Sequence, residues 1–118
     1  MSETLAADIV AFAKTEFKGE ALARVQKSKT QFQDIITAAS QATSLDEFKL
    51  YIAYKAAKAG NDDLWKTFGA RLNKFIDERV CKLECDDKDK LAILHQAMGY
   101  LMWAAYAASA GAGVLESV

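Results

Sequence analysis

No proline occurs anywhere in this 118-residue chain, while 22 of its positions are alanine. Proline punctuates the turns and edge strands of most sheet proteins, and alanine is the best intrinsic helix former. Such a chain reads as all-α, a compact antiparallel bundle of four to five helices, and its length suits a single domain over residues 1–118. At 52% hydrophobic and 26% charged residues it can bury a core, which excludes general disorder. Collagen-like, disulfide-scaffold and large α/β enzyme classes are excluded by the same arithmetic.

Helical periodicity runs along nearly the whole chain. Ser2 can cap a first helix that carries Leu5, Ile9, Phe12 or Ala13, and Phe17 on one side, with Gly19 as its stop. Leu22, Val25, Phe32, Ile35 and Ile36 continue an apolar stripe, and Ser28-Lys29-Thr30-Gln31 has capping-box spacing, so 20–41 is one helix or two with a fresh start at Lys29. Ser44-Leu45-Asp46-Glu47 is a better capping box and predicts a helix from Leu45 to Ala59, ended by Gly60. Its face is Phe48, Ile52, Ala56 and Ala59, widened by Tyr51 and Tyr54. Asn61 then caps a helix with Asp62 and Asp63 in its first turn. Leu64, Trp65, Phe68, Leu72, Phe75, Ile76 and Val80 form its single broad stripe. Glu84 to Asp89 is an acidic turn in which Asp86 or Asp87 caps the last helix.

That last helix carries no charge from Ala97 to Leu115. The length approaches a membrane span, but its alanine, glycine and serine gain little in lipid and no basic cluster flanks it. A helix buried in the bundle, or partly by another subunit, fits better, and small residues at Ala104, Ala108 and Ala112 allow close approach in either case. Residues 109–118 are expected to fray.

Fifteen basic and sixteen acidic side chains nearly cancel, but not evenly. Residues 14–29 hold five basic against two acidic groups, and 49–82 hold eight against four. Mildly basic zones thus alternate with acidic ones, as a mixed solvated surface or as patches for phosphate. Met1-Ser2-Glu3-Thr4 lacks the basic flank and apolar run of a signal peptide, and only Cys81 and Cys85 are cysteine, so a reducing cytoplasm is expected.

Catalytic and metal chemistry finds little to work with. His95 is the one histidine, read as a packing residue. Cys81 and Cys85 share a face only if their helix persists, and two Cys with one His fall short of a structural zinc site. Neither a phosphate-cradling glycine loop nor a nucleophile elbow occurs. The expectation is no enzyme, no cofactor and no metal. Binding residues are better supplied. Lys55 and Lys58 lie three apart on one helix, Lys66 and Lys74 share the outer side of the next, and Arg71 and Lys82 border its stripe. Arg79 falls inside the stripe, as a snorkelling side chain or as a guanidinium held in a groove. Tyr51 and Tyr54 can pack the core or stack on bases.

Three stretches resemble the helical small subunit of type III CRISPR–Cas interference complexes, particularly the III-A version. They are Lys27-Ser28-Lys29-Thr30-Gln31-Phe32, Ala53-Tyr54-Lys55-Ala56-Ala57-Lys58, and Ala97-Met98-Gly99-Tyr100 through Ala105-Tyr106. The likeness covers roughly residues 25–107, with Lys58 where the family usually has arginine and Gln31 or Gln33 where it has another. It implies a non-catalytic antiviral subunit whose copies stack head to tail in a ribonucleoprotein beside guide and target RNA. Its partners would be RNA backbone and the other effector subunits, with no membrane. Local charge and likeness together single out Lys27, Lys29, Lys55, Lys58, Arg71, Lys74 and Arg79 as RNA-binding. The rival is a helical protein–protein adaptor without nucleic-acid binding.

Overall fold

The periodicity is realised as helix along nearly the whole chain. The computed structural model describes residues 2–61, 63–111 and 113–118, with side chains from Leu5 onward. Among them lie α1 (Ser2–Glu16), α2 (Glu20–Ser28), α3 (Gln31–Gln41), α4 (Leu45–Lys58), α5 (Trp65–Arg79) and α6 (Asp87–Ser109), followed by a 3-10 turn over Leu115–Ser117. The all-α expectation holds, and no strand occurs among the described residues. The helix count is six rather than four to five. The stretch 20–41 divides, and the new helix opens at Gln31 instead of Lys29. Ser28, expected as a cap, is a buried residue in the last turn of α2, while Phe32 and Gln33 donate to the carbonyls of Lys29 and Thr30 in a tightened turn. Ser2 already lies inside α1.

The chain separates into two compact units: the residues through Ile36 together with Ala97–Val118, and Thr37–Gln96. In the first, α1 buries Leu5, Ile9 and Ala13, with Phe17 just beyond it, at the four-residue spacing of one helix face. Ala13, not Phe12, takes the core position. Gly19 stops the run with φ at +63°, a region that side chains with Cβ rarely adopt. Phe17 meets Phe32 edge-on, centroids 5.9 Å apart, beside buried Val25 and Ile35. From α6 the same unit receives Ala97, Met98, Leu101, Ala104, Ala105 and Ala108, all buried. Within the C-terminal stretch, Leu115 is buried, and Lys14 Nζ donates to the Val118 carbonyl at 2.8 Å. Ala112 lies outside the described residues.

The second unit is organised by a hairpin of α4 and α5. The Ser44 hydroxyl accepts the Glu47 N–H at 3.0 Å, as the capping box requires. The Glu47 carboxylate reaches back one residue further, to the N–H and hydroxyl of Thr43. Asn61 does not cap α5. Asp63 Oδ1 accepts the N–H of Trp65 at 3.0 Å and the helix starts at Trp65, three residues later than a cap at Asn61 suggested; Asp62 is outside the described residues. Every predicted stripe residue, Leu64, Trp65, Phe68, Leu72, Phe75, Ile76 and Val80, is buried. Gly69 lets the helices touch: a Cβ there would stand 2.9 Å from that of Ala56 and 3.6 Å from a methyl of Ile52. Lys49 pairs with Asp77 further along, so α4 and α5 run antiparallel. Asp86 caps α6 by accepting the N–H of Asp89 at 2.8 Å.

Candidate nucleic-acid interface

At 100° per residue, α4 has two flanks either side of its buried Phe48–Ile52 line. Tyr51, Tyr54, Lys55 and Lys58 fall on one flank, and Lys49, Ala53 and Ala56 on the other. On the first flank the ammonium of Lys55 lies 5.8 Å from the Tyr51 ring centroid and 5.3 Å from that of Trp65. The ammonium of Lys58 lies 5.3 Å from the Tyr54 ring. Trp65 is buried, Tyr51 and Lys55 are half-buried, and Tyr54 and Lys58 are exposed. Each such contact at an exposed site contributes about 0.5–1 kcal/mol. Its larger consequence is positional: the rings hold the stems down while each ammonium keeps donors for a further anion. Both lysines also stand in the last turn of α4, where positive charge opposes the dipole.

The other flank is polar and self-satisfied. Lys49 forms an ion pair with Asp77, and Asn73 Nδ2 donates to the Lys49 carbonyl at 3.0 Å. The hydrogen bond that Lys49 donates to the Asp77 carboxylate holds the Lys49 pKa above its ordinary value and that of Asp77 below its own. The Cys81 thiol lies 3.6 Å from Asp77 and is pushed up by burial first and by that hydrogen bond second, away from thiolate chemistry. Ala53, Ala56, Ala70, Asn73, Lys74 and Asp77 line a shallow groove of about 440 Å³ beside this pair.

The seven predicted cations therefore divide. Lys27 and Lys29 belong to the first unit, the other five to the second. Lys55 and Lys58 share a flank; Arg71 is exposed on α5; Lys74 is exposed at the rim of the opposite groove. Arg79 is exposed in the last turn of α5, although Phe75, Ile76 and Val80 around it are buried. Lys27 is exposed, while half-buried Lys29 sets its ammonium 5.6 Å from the ring of Tyr106.

Two further expectations change. His95 is exposed, since it points about 100° away from buried Leu94 on α6. Cys81 and Cys85 do not share a helix face, because α5 stops at Arg79. Sequence reasoning also missed the shelf that Trp65 makes for Lys55, and the exposure of Trp103 and Tyr106. The signal for the latter was present: Tyr100, Trp103 and Tyr106 recur every third residue, off the line of Leu101, Ala104 and Ala108. Among the described residues no helix is long and apolar enough to cross a membrane, and no three His, Cys, Asp or Glu side chains gather as metal ligands would. In comparison with known proteins, no family model, no curated protein and no solved structure matches the chain.

Proposed function

We propose that the chain is a non-catalytic, RNA-associated subunit that contacts phosphate backbone through point charges and reads no sequence. The observation that carries this is the α4 flank, where Lys55 and Lys58 are seated on Tyr51, Tyr54 and Trp65, Lys55 half-buried and Lys58 exposed. A lysine whose stem is already placed loses less freedom when it meets an anion than one that sweeps through solvent. Lys27, Lys29, Arg71, Lys74 and Arg79 extend the basic surface within their respective units. The resemblance carried by residues 27–32, 53–58 and 97–106 supports a finer version of this reading. In it, the chain is the small subunit of a cytoplasmic type III CRISPR–Cas effector, with copies stacked beside guide and target RNA. Leu50, 71% exposed on the back of α4, favours the adaptor reading instead, because a large apolar side chain on a helix surface invites a protein partner.

Reversing both charges, Lys55→Glu with Lys58→Glu, separates the two. Binding of single-stranded RNA by the wild type should weaken as salt rises, with a log–log slope near −0.7 for each phosphate neutralised. The double variant should lower that slope by about 1–2 and lose affinity tenfold or more, while circular dichroism stays unchanged. Equal RNA affinity in variant and wild type would remove the α4 site, and no affinity even at low salt would leave the adaptor reading in its place.

A further inference from the structure

The C-terminal half of α6 presents a second surface that the reading above leaves unused. Its inward line, Met98, Leu101, Ala105 and Ala108, is buried in the first unit. On its outer side Trp103 is 67% exposed and Tyr106 is 43% exposed. The Tyr100 ring lies 5.7 Å from that of Trp103, tilted by 49°. Spacing of three residues lines these rings up as one stripe, which rises about 9 Å along the helix. Water covers most of Trp103, so the largest side chain of the set adds little to the hydrophobic stabilisation of the fold.

The stripe has a charged end of one sign. Lys29, at the end of α2, holds its ammonium 5.6 Å from the Tyr106 ring centroid. The helix itself contributes no charge from Ala97 to its end at Ser109. Among the described contacts, the charge brought onto this surface is a cation. The complement of such a surface is a planar, polarisable body joined to an anion, and each nucleotide supplies both: a base with a π-face and a phosphate. A protein partner would need an apolar surface for Trp103 and a separately placed carboxylate for Lys29.

We propose that Tyr100, Trp103 and Tyr106 form a base-stacking platform for single-stranded RNA, with Lys29 meeting the phosphate of the stacked nucleotide. The proposal rests on the RNA reading and adds base contact, in the other unit, to the backbone contact assigned to α4. It requires unpaired strands, because bases inside an A-form duplex are already stacked on each other and closed to a ring from outside.

The test titrates wild type, Trp103→Ala and the Lys55→Glu/Lys58→Glu variant with three labelled probes of matched charge: oligo(A), the oligo(A)·oligo(U) duplex and inorganic polyphosphate. The expected result is that Trp103→Ala weakens oligo(A) binding about tenfold and leaves duplex and polyphosphate binding unchanged. In a Trp65→Phe background, where Trp103 is the remaining tryptophan, oligo(A) alone should quench its emission; the affinity measurements stand without this variant if it fails to fold. Oligo(A) binding that Trp103→Ala does not weaken would overturn the platform and leave the backbone reading intact. Loss in Trp103→Ala with none in the lysine variant would uphold the platform and remove the α4 site. Binding to none of the probes would overturn both. Sedimentation velocity without RNA completes the test: a wild-type dimer that Trp103→Ala converts to monomer, with oligo(A) affinity unaltered, would show a second copy of the chain as the occupant and overturn the proposal.

Discussion

Each unit sets a lysine ammonium over a tyrosine, yet the tryptophan of that surface is buried in one unit and exposed in the other. At the α4 flank the two rings beneath Lys55 lean inward, Trp65 of α5 buried and Tyr51 half-buried, while Tyr54 and Lys58 are both exposed. On α6 the rings lean outward, and Lys29, the cation, is the half-buried partner. The same pair of residue types therefore serves two ends. An inward ring contributes to stability and positions a charge. An outward ring contributes little to stability and leaves its face open to a partner.

The sharpest way to break this contrast is to delete one tryptophan from each surface. Trp65→Ala should cost about 3–5 kcal/mol, because it removes a buried ring packed 5.2 Å from Phe68 and leaves a cavity. Trp103→Ala should change stability by less than about 0.5 kcal/mol. Chemical denaturation of both variants measures the difference, and comparable losses would mean that the outer stripe of α6 is structural.

Two helical glycines offer a second, smaller test. Gly69→Ala should destabilise by about 1–3 kcal/mol despite the better helix propensity of alanine, since the new methyl meets the Ala56 Cβ at 2.9 Å. Gly99→Ala meets nothing within 4 Å and should stabilise by up to about 1 kcal/mol. Thermal melts that move both variants in the same direction would remove the claim that α4 and α5 are set by close backbone approach.

The smallest effect concerns Lys49 and Asp77, the ion pair on the flank of α4 away from the aromatic lysines. Asp77 is held below its ordinary value, so its contribution is complete above that value and is lost as pH falls through the depressed one. Lys49 is held above its ordinary value, so its contribution persists at neutral pH and is lost as pH rises past about 10.4. Asp77 is about half exposed, so the pair stabilises by well under 1 kcal/mol. Asp77→Asn should flatten the acid limb of the stability–pH curve below about pH 4 and leave the plateau near pH 7 slightly lower. An acid limb identical in wild type and variant would show that the pair adds nothing.

Legibility in the sequence followed amphipathicity. The α5 stripe was readable to the residue because polar positions separate its apolar ones, and only one orientation buries all seven. The Ser44 cap was readable for a local reason: hydroxyl and carboxylate lie at the spacing that the backbone of a first turn demands. The start of α5 was not. Asn61, Asp62 and Asp63 are chemically similar caps within three residues, and the burial of Leu64 and Trp65 favours the latest start. The candidate lysines were nameable from charge and spacing, but their grouping was not. Whether Lys55 rests on an indole or Lys74 rims a groove depends on which residues the opposite helix brings across.

By itself, then, the sequence determined that the chain is helical, where most of its helices lie, and which face of α5 is core, because propensity, capping and period act within a few residues. The orientation of α6 was a different matter. From Ala97 onward that helix is apolar or small on every side, so no polar face tells it which way to turn. Only tertiary packing could choose to bury Met98, Leu101 and Ala105 and leave Trp103 and Tyr106 in water. A compact face of leucine, methionine and alanine fits against neighbouring helices more closely than two large aromatic rings would.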